Sequence, residues 1–342
     1  MGVWRGVVVR PADGPACCSL AFPSPTPMTP TSRPRVLQKG RLLPELEQRL
    51  AGAFDVHRLA DEADPAAFLA AHGRGFTGLV TSAVFGADAA LIGALPDLKV
   101  ISSFGVGTDA LDLEAARQRG VAVANTPDVL NDCVADLAMA LVLDVARGVT
   151  EADRFVRRGD WQQGRFRLGQ RVSGRRLGIV GLGRIGRTVA RRATGFDMDI
   201  RYHSRRPVAD VPWTHEPSLH ALARWCDFLV VIVAGGAGTR HLVDASVLDA
   251  LGPDGFLVNV ARGSVIDEAA LVSALVERRI AGAGLDVFED EPRVPAALTG
   301  LDHVVLVPHI ASGTEQTRRA MADLVFDNLQ AFYRDGRVMT PA

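Results

Sequence analysis

The sequence predicts an α/β protein built from two doubly wound domains, and three observations carry that prediction. Two separate series of short apolar runs alternate with amphipathic stretches, one from Arg35 to Val123 and one from Leu177 to Val307. A long apolar helical stretch, Leu130 to Arg147, stands between them. A chain of 342 residues is also too long for one ordinary core and suits two domains of roughly 100–200 residues each.

Residues 1–33 differ from the rest of the chain. Seven of the 19 prolines (Pro11, Pro15, Pro23, Pro25, Pro27, Pro30 and Pro34) fall there or just beyond, which argues against a packed element. The segment has no uninterrupted apolar stretch of the signal-peptide kind. It reads either as a disordered extension or as a mis-assigned start, since Met28 opens a sequence leading into the first strand.

The first series then places strands at Val36–Gln38, Val56–Leu59, Gly78–Thr81, Lys99–Ser102 and Val121–Val123, with helical stretches such as Pro44–Gly52 and Leu111–Arg119 between them. Strands separated by helices imply parallel β-α-β units. After the long helix, Ala152–Arg171 is too polar for a core helix and too apolar for a free linker; it reads as an arm that packs on another subunit. The second series has six expected strands: Leu177–Val180, Asp199–His203, Phe228–Val233, Phe256–Val260, Ala283–Val287 and Val304–Val307. A closing amphipathic helix, Glu315–Tyr333, is expected to return to the first domain. That division gives a discontinuous first domain, 34–127 with 314–342, and a second domain, 128–313, carrying the arm at about 148–172.

Composition removes several function classes. Lys plus Arg number 38 against 39 Asp plus Glu, so no charge excess suggests a nucleic-acid or membrane surface. The longest apolar runs fall far short of the roughly 20 residues that span a bilayer. None of the four cysteines has Cys-x-x-Cys spacing, which argues against a redox or zinc site and for reduced thiols in the cytoplasm. The only lysines are Lys39 and Lys99 and the only tyrosines Tyr202 and Tyr333, so no Tyr-x-x-x-Lys pair exists. No metal site is expected.

Gly181-Leu182-Gly183-Arg184-Ile185-Gly186 follows an expected strand and opens an expected helix. Alone, a Gly-x-Gly-x-x-Gly is weak; in that context it marks a dinucleotide site. Gly181 permits the turn, Gly183 lets the backbone approach a pyrophosphate at the helix N-terminus, and Gly186 lets helix and strand pack closely. The next strand ends in Tyr202-His203-Ser204-Arg205-Arg206 with no acid to hold a ribose 2′-hydroxyl. Ser204, Arg205 and Arg206 instead suit a 2′-phosphate, predicting NADP(H) in preference to NAD(H). The competing reading makes the two arginines solvated loop charges.

Three further groups each follow a strand of the second series: Arg262 in Asn259-Val260-Ala261-Arg262-Gly263, Glu291 in Phe288-Glu289-Asp290-Glu291-Pro292, and His309 in Pro308-His309-Ile310. Ligands of open α/β sheets bind outside these strand ends. The set suits reduction of a 2-ketoacid. Arg262 can hold a carboxylate and polarise a ketone oxygen. His309 can supply the proton, oriented by a neighbouring carboxylate. Singly, each could be structural or merely solvated.

From about Arg35 to its end the chain resembles the D-2-hydroxyacid dehydrogenases, through Gly181–Gly186, Asn259–Gly263, Gly284–Phe288 with Glu291-Pro292, and Pro308-His309. Within that family it resembles the NADPH-dependent glyoxylate/hydroxypyruvate reductases and plant hydroxyphenylpyruvate reductases, through Ser204–Arg206 and Ser102–Asp109. The resemblance implies a flavodoxin-like substrate domain, a Rossmann cofactor domain, a cleft between them and a homodimer. It selects Glu291 over Glu289, because the family's glutamate directly precedes the proline. It implies Arg262 as the substrate-binding arginine and His309 as the acid/base. Val260 and Asp286 would lie along the cofactor, and the backbone amides of Val106 and Gly107 would grip the substrate carboxylate, unless that Gly pair is only a strand-to-helix turn. Trp161 would either reach a partner's substrate pocket or anchor the dimer. The expected reaction is NADPH-dependent reduction of glyoxylate, hydroxypyruvate or a phenylpyruvate to the D-2-hydroxyacid. The alternative is a non-catalytic, cofactor-sensing binding protein of the same fold.

Overall fold

A computed structural model describes residues 33–342. The expectations for the N-terminal extension and for Met28 lie outside the described residues.

Beyond that point the α/β alternation is continuous. β1 (Arg35–Gln38), α1 (Pro44–Ala53), β2 (Asp55–Arg58), α2 (Pro65–His72), β3 (Phe76–Ser82), α3 (Ala89–Ala94), β4 (Val100–Phe104), α4 (Leu113–Gln118) and β5 (Ala122–Ala124) come first. Their strands form one parallel sheet in the order β2-β1-β3-β4-β5. Next come α5 (Asn131–Arg147) and α6 (Val149–Arg157). The second series is β6 (Arg176–Val180), α7 (Arg184–Thr194), β7 (Asp199–His203), β8 (Thr214–His215), α8 (Leu219–Trp225) and β9 (Phe228–Val231). It continues through α9 (Ala245–Leu251), β10 (Phe256–Asn259), α10 (Glu268–Val276), β11 (Gly282–Leu285), α11 (Ala296–Thr299), β12 (Val304–Leu306) and α12 (Glu315–Asp335). This second sheet is also parallel, ordered β12-β11-β10-β9-β6-β7-β8. It holds seven strands, not the expected six, because β8 is a two-residue edge strand with no apolar run to announce it.

The local causes are simple. Every residue of β9, β10 and β11 is buried, as parallel strands covered on both faces require. Asp64, Asp88, Asp112, Asp244 and Asp267 each cap a helix by accepting the amide three residues on, worth about 1 kcal/mol apiece. α5 packs on α7, β10 and β11. A Cβ at Gly284 of β11 would stand 3.0 Å from Leu141 Cβ of α5, so this glycine sets how closely the helix approaches. α12 packs on β4, where Ser102 Oγ donates to the Val325 carbonyl at 3.0 Å.

Strand order reverses direction between β1 and β3 in the first sheet and between β6 and β9 in the second. Such switch points leave a crevice at the strands' carboxyl ends. The loops after β4, β6, β9 and β10 all contribute to the wall of one cavity of about 710 Å³.

Candidate active site

The glycine turn after β6 has the shape a phosphate requires. Gly181 adopts φ +100°, in the left-handed half of backbone space, and a Cβ there would lie 2.7 Å from Val233 Cγ1. A Cβ at Gly186 would lie 2.1 Å from the Gly181 carbonyl oxygen, so only glycine lets α7 start this close to the turn. Gly183 differs: a Cβ there would meet nothing within 4 Å, which leaves open space in front of the α7 N-terminus. α7 has no side-chain cap, so its first amides face that space unsatisfied. Gly183, Arg184, Ile185, Gly186 and Val260 all line the cavity. The Arg184 guanidinium is held by Asp128 at 3.1 Å, so what this residue offers to the cavity is its backbone. These residues fit a dinucleotide pyrophosphate.

Ser204 begins directly beside that turn, because His203 pairs with Val180 and its carbonyl accepts the Gly181 amide at 2.9 Å. Ser204 Oγ donates to the Arg206 carbonyl at 2.6 Å, closing a tight loop. Arg205 and Arg206 are exposed, and neither has an ion pair among the described residues.

The chemical groups meet on the cavity's other wall. His309 Nδ1 donates to Glu291 Oε2 at 2.7 Å, and Glu291 Oε1 accepts the Phe288 amide at 3.0 Å. With Nδ1 so engaged, Nε2 is the imidazole nitrogen left for a ligand. Burial pushes the Glu291 carboxyl up, but the His309 and Phe288 hydrogen bonds and the nearby charges of His309 and Arg262 outweigh it, leaving it below the ordinary glutamate range. His309 has φ +52°, uncommon for a residue with a side chain, and its amide donates to the carbonyls of Asp286 (2.9 Å) and Val307 (3.1 Å). Asp286 is fully buried and accepts the amides of Ile310 (2.6 Å) and Ala311 (3.0 Å), which fixes the loop that carries the imidazole. Burial raises its pKa, and the two amides offset this only in part.

Arg262 is positioned by the turn after β10. Asn259 clamps that turn, donating to the Arg262 carbonyl and accepting the Ala261 amide, both at 3.0 Å. Arg262 Nη1 donates to the Ala261 carbonyl at 2.7 Å and Nε to Asp109 Oδ2 at 3.2 Å. The remaining nitrogen, Nη2, lies over Gly107, where a Cβ would come within 1.8 Å of it. The amides of Val106 and Gly107 have no acceptor among the described residues, and both residues line the cavity beside Arg262.

The structure therefore brings Val106, Gly107, Arg262, Glu291 and His309 to the cavity that the α7 N-terminus also faces. Gly181, Ser204, Arg205, Arg206 and Asp286 do not line it. Asp109 was not singled out from the sequence, although it closes the quoted Ser102–Asp109 stretch; its partner Arg262 lies 153 positions away. Arg318, also missed, lines the cavity from the first turn of α12. Among the described residues no cluster of His, Cys, Asp or Glu could hold a metal ion, and no helix is long and apolar enough to cross a membrane.

Comparison with known proteins decides the family. Residues 139–311 match the profile described as "D-isomer specific 2-hydroxyacid dehydrogenase, NAD binding domain". The chain belongs to that family. It is similar to hydroxyphenylpyruvate reductase of Plectranthus scutellarioides, with 49% identity over 86% of this chain and 95% of that protein. It is similar to glyoxylate/hydroxypyruvate reductase A of Arabidopsis thaliana, at 46% identity over the same shares. Among solved structures, the NADPH-dependent glyoxylate/hydroxypyruvate reductase of Sinorhizobium meliloti, in complex with NADP and malonate, superposes with a TM-score of 0.86. That match has 46% identity and covers 91% of this chain and 97% of the other. The 2-hydroxyacid dehydrogenase chain thus carries an NAD(P)-binding domain on its second sheet.

Proposed function

We propose that this dehydrogenase works as an NADPH-dependent reductase of small 2-ketoacids (glyoxylate, hydroxypyruvate and the larger phenylpyruvates), giving D-2-hydroxyacids. The observation that carries the reading is the His309–Glu291 couple sharing one cavity with Arg262 and the uncapped N-terminus of α7. When bound, a nicotinamide dinucleotide supplies the hydride. The α7 N-terminus at Gly183 and Gly186, with Gly181 making the turn, would hold its pyrophosphate, and Val260 would lie further along; Asp286, expected along the cofactor, acts instead by fixing the loop that carries His309. The Val106 and Gly107 amides and Arg262 Nη2 take the substrate carboxylate, and the guanidinium polarises the ketone. As negative charge develops on the ketone oxygen, His309 Nε2 delivers a proton to it, and the ionised Glu291 stabilises the imidazolium beforehand. Asp109 holds the guanidinium by Nε, which keeps Nη2 directed at Gly107.

The Ser204–Arg206 turn beside Gly181 supports NADPH over NADH, and the Sinorhizobium relative was solved with NADP. The same reading divides the chain into a substrate domain (34–127 with 314–342) and a cofactor domain (128–313). It also includes a homodimer built through the arm at about 148–172, where Trp161 is 69% and Leu168 96% exposed. The cysteine spacing supports a cytoplasmic setting.

The test follows NADPH oxidation with glyoxylate, hydroxypyruvate and phenylpyruvate, repeated with NADH. Turnover with at least one ketoacid and higher kcat/KM with NADPH supports the reading. NADPH binding without turnover on any of them would favour a cofactor-sensing role instead.

A further inference from the structure

Of the adjacent acids Glu289, Asp290 and Glu291, the reduction uses only the last, and Asp290 closes a local pair with Arg293. Glu289 differs, because its side chain crosses to another loop. Its Oε1 accepts from Arg240 Nη2 at 2.7 Å and lies 3.4 Å from His241 Nε2, both residues standing between β9 and α9. Its amide donates to Oε2 of Glu268, the first residue of α10, at 3.1 Å. Gly263 closes a third side. A Cβ there would lie 1.9 Å from the Phe288 carbonyl carbon and 2.3 Å from the Glu289 nitrogen, so the turn carrying Arg262 rests against this backbone. The His241 amide donates to the Ser264 carbonyl at 2.9 Å, and His241 itself sits at φ +49°, a conformation that a residue with a side chain keeps only when its surroundings impose it.

The loops after β9, β10 and β11 therefore meet at Glu289. The consequence falls on Glu291. Its Oε1 accepts the Phe288 amide, so the aim of its Oε2 at His309 follows wherever the Phe288–Glu289 backbone is held. Arg240 is exposed, so its pair with Glu289 contributes little to stability; what the pair fixes is geometry. We propose that Glu289 is a positioning residue for the reduction: through Arg240 it holds the Phe288–Glu291 loop so that the Glu291 carboxylate meets the imidazole. This rests on the ketoacid-reductase reading and adds a residue to its machinery.

The test measures kcat and KM for hydroxypyruvate at saturating NADPH in Glu289→Ala, Glu289→Gln and Arg240→Met. Glu289→Ala and Arg240→Met should each lower kcat about tenfold, less than the roughly 10²-fold that a 1 Å misplacement can cost. KM should change little, because Arg262 is held separately by Asn259 and Asp109. Glu289→Gln still offers an oxygen to Arg240 and should recover most of the loss. The decisive step repeats Glu289→Ala in a Glu291→Gln background. There a residue that acts through Glu291 has nothing left to position, so kcat should fall no further. A further tenfold fall in that background, or a parent-like kcat in Glu289→Ala, would overturn the proposal while leaving the reductase reading intact. NADPH affinity by fluorescence titration should match the parent throughout; a loss of it in Glu289→Gln alongside kcat would mark a general fold defect and overturn the proposal too. An unaltered enzyme that reduces no ketoacid would overturn both readings.

Discussion

Glu291 serves two backbone and side-chain partners at once, the Phe288 amide and the His309 imidazole, and is ionised because of them. Its folded-state pKa lies below its unfolded value, about 4.3 for a free glutamate. Its contribution to stability is therefore complete above that value and is lost as pH falls through the folded one. Glu291→Gln should cost about 1–2 kcal/mol at neutral pH, with the deficit shrinking below about pH 4. Thermal melts of both proteins across that range check it; a gap that persists undiminished into acid would contradict the assignment. At this scale the sequence was ambiguous for a physical reason. Glu289, Asp290 and Glu291 are adjacent and chemically alike, and only folding gives each its partner: Arg240 for Glu289, Arg293 for Asp290 and His309 for Glu291. Asp109 and Arg318 were less legible still, since each gains meaning only from groups far away in the chain.

Among the elements, the turn from β6 into α7 separates folding from binding. Gly183→Ala adds a methyl into open space, so its melting temperature should match the parent while NADPH stabilises it less. Gly186→Val drives side-chain atoms into the Gly181 carbonyl and should lower the melting temperature itself as well as NADPH binding. Melts with and without NADPH distinguish the two; a Gly183→Ala protein fully stabilised by NADPH would argue that the cofactor does not approach there. Apolar runs such as Phe228–Val231 and Phe256–Asn259 were readable as strands because parallel strands are buried on both faces. β8 is too short and polar for such a signal, and α2, apolar nearly all round, shows no helical periodicity. The expected strand to Leu59 ends one residue earlier, where a 3₁₀ turn begins.

Across the whole molecule, two parallel sheets present their carboxyl-end loops to one cavity, with α5 between them in sequence and α12 carrying the chain back to β4. The proposed preference for NADPH belongs to this scale, because Ser204–Arg206 follow β7 where it ends beside the β6 turn, outside the cavity lining. Replacing Arg205 and Arg206 together by Ala should lower kcat/KM with NADPH by about tenfold or more while leaving NADH nearly unaffected. Equal losses with both cofactors would show that these arginines do not read the 2′-phosphate.

The central claim is that His309 delivers the proton to a ketoacid held by Arg262 beside a bound nicotinamide. Its most direct test is kcat of His309→Ala for hydroxypyruvate, measured alongside NADPH affinity in the same preparation. The account predicts a fall in kcat of about 10²–10⁴ with NADPH affinity retained. A variant that binds NADPH and turns over at close to the parent rate would contradict it.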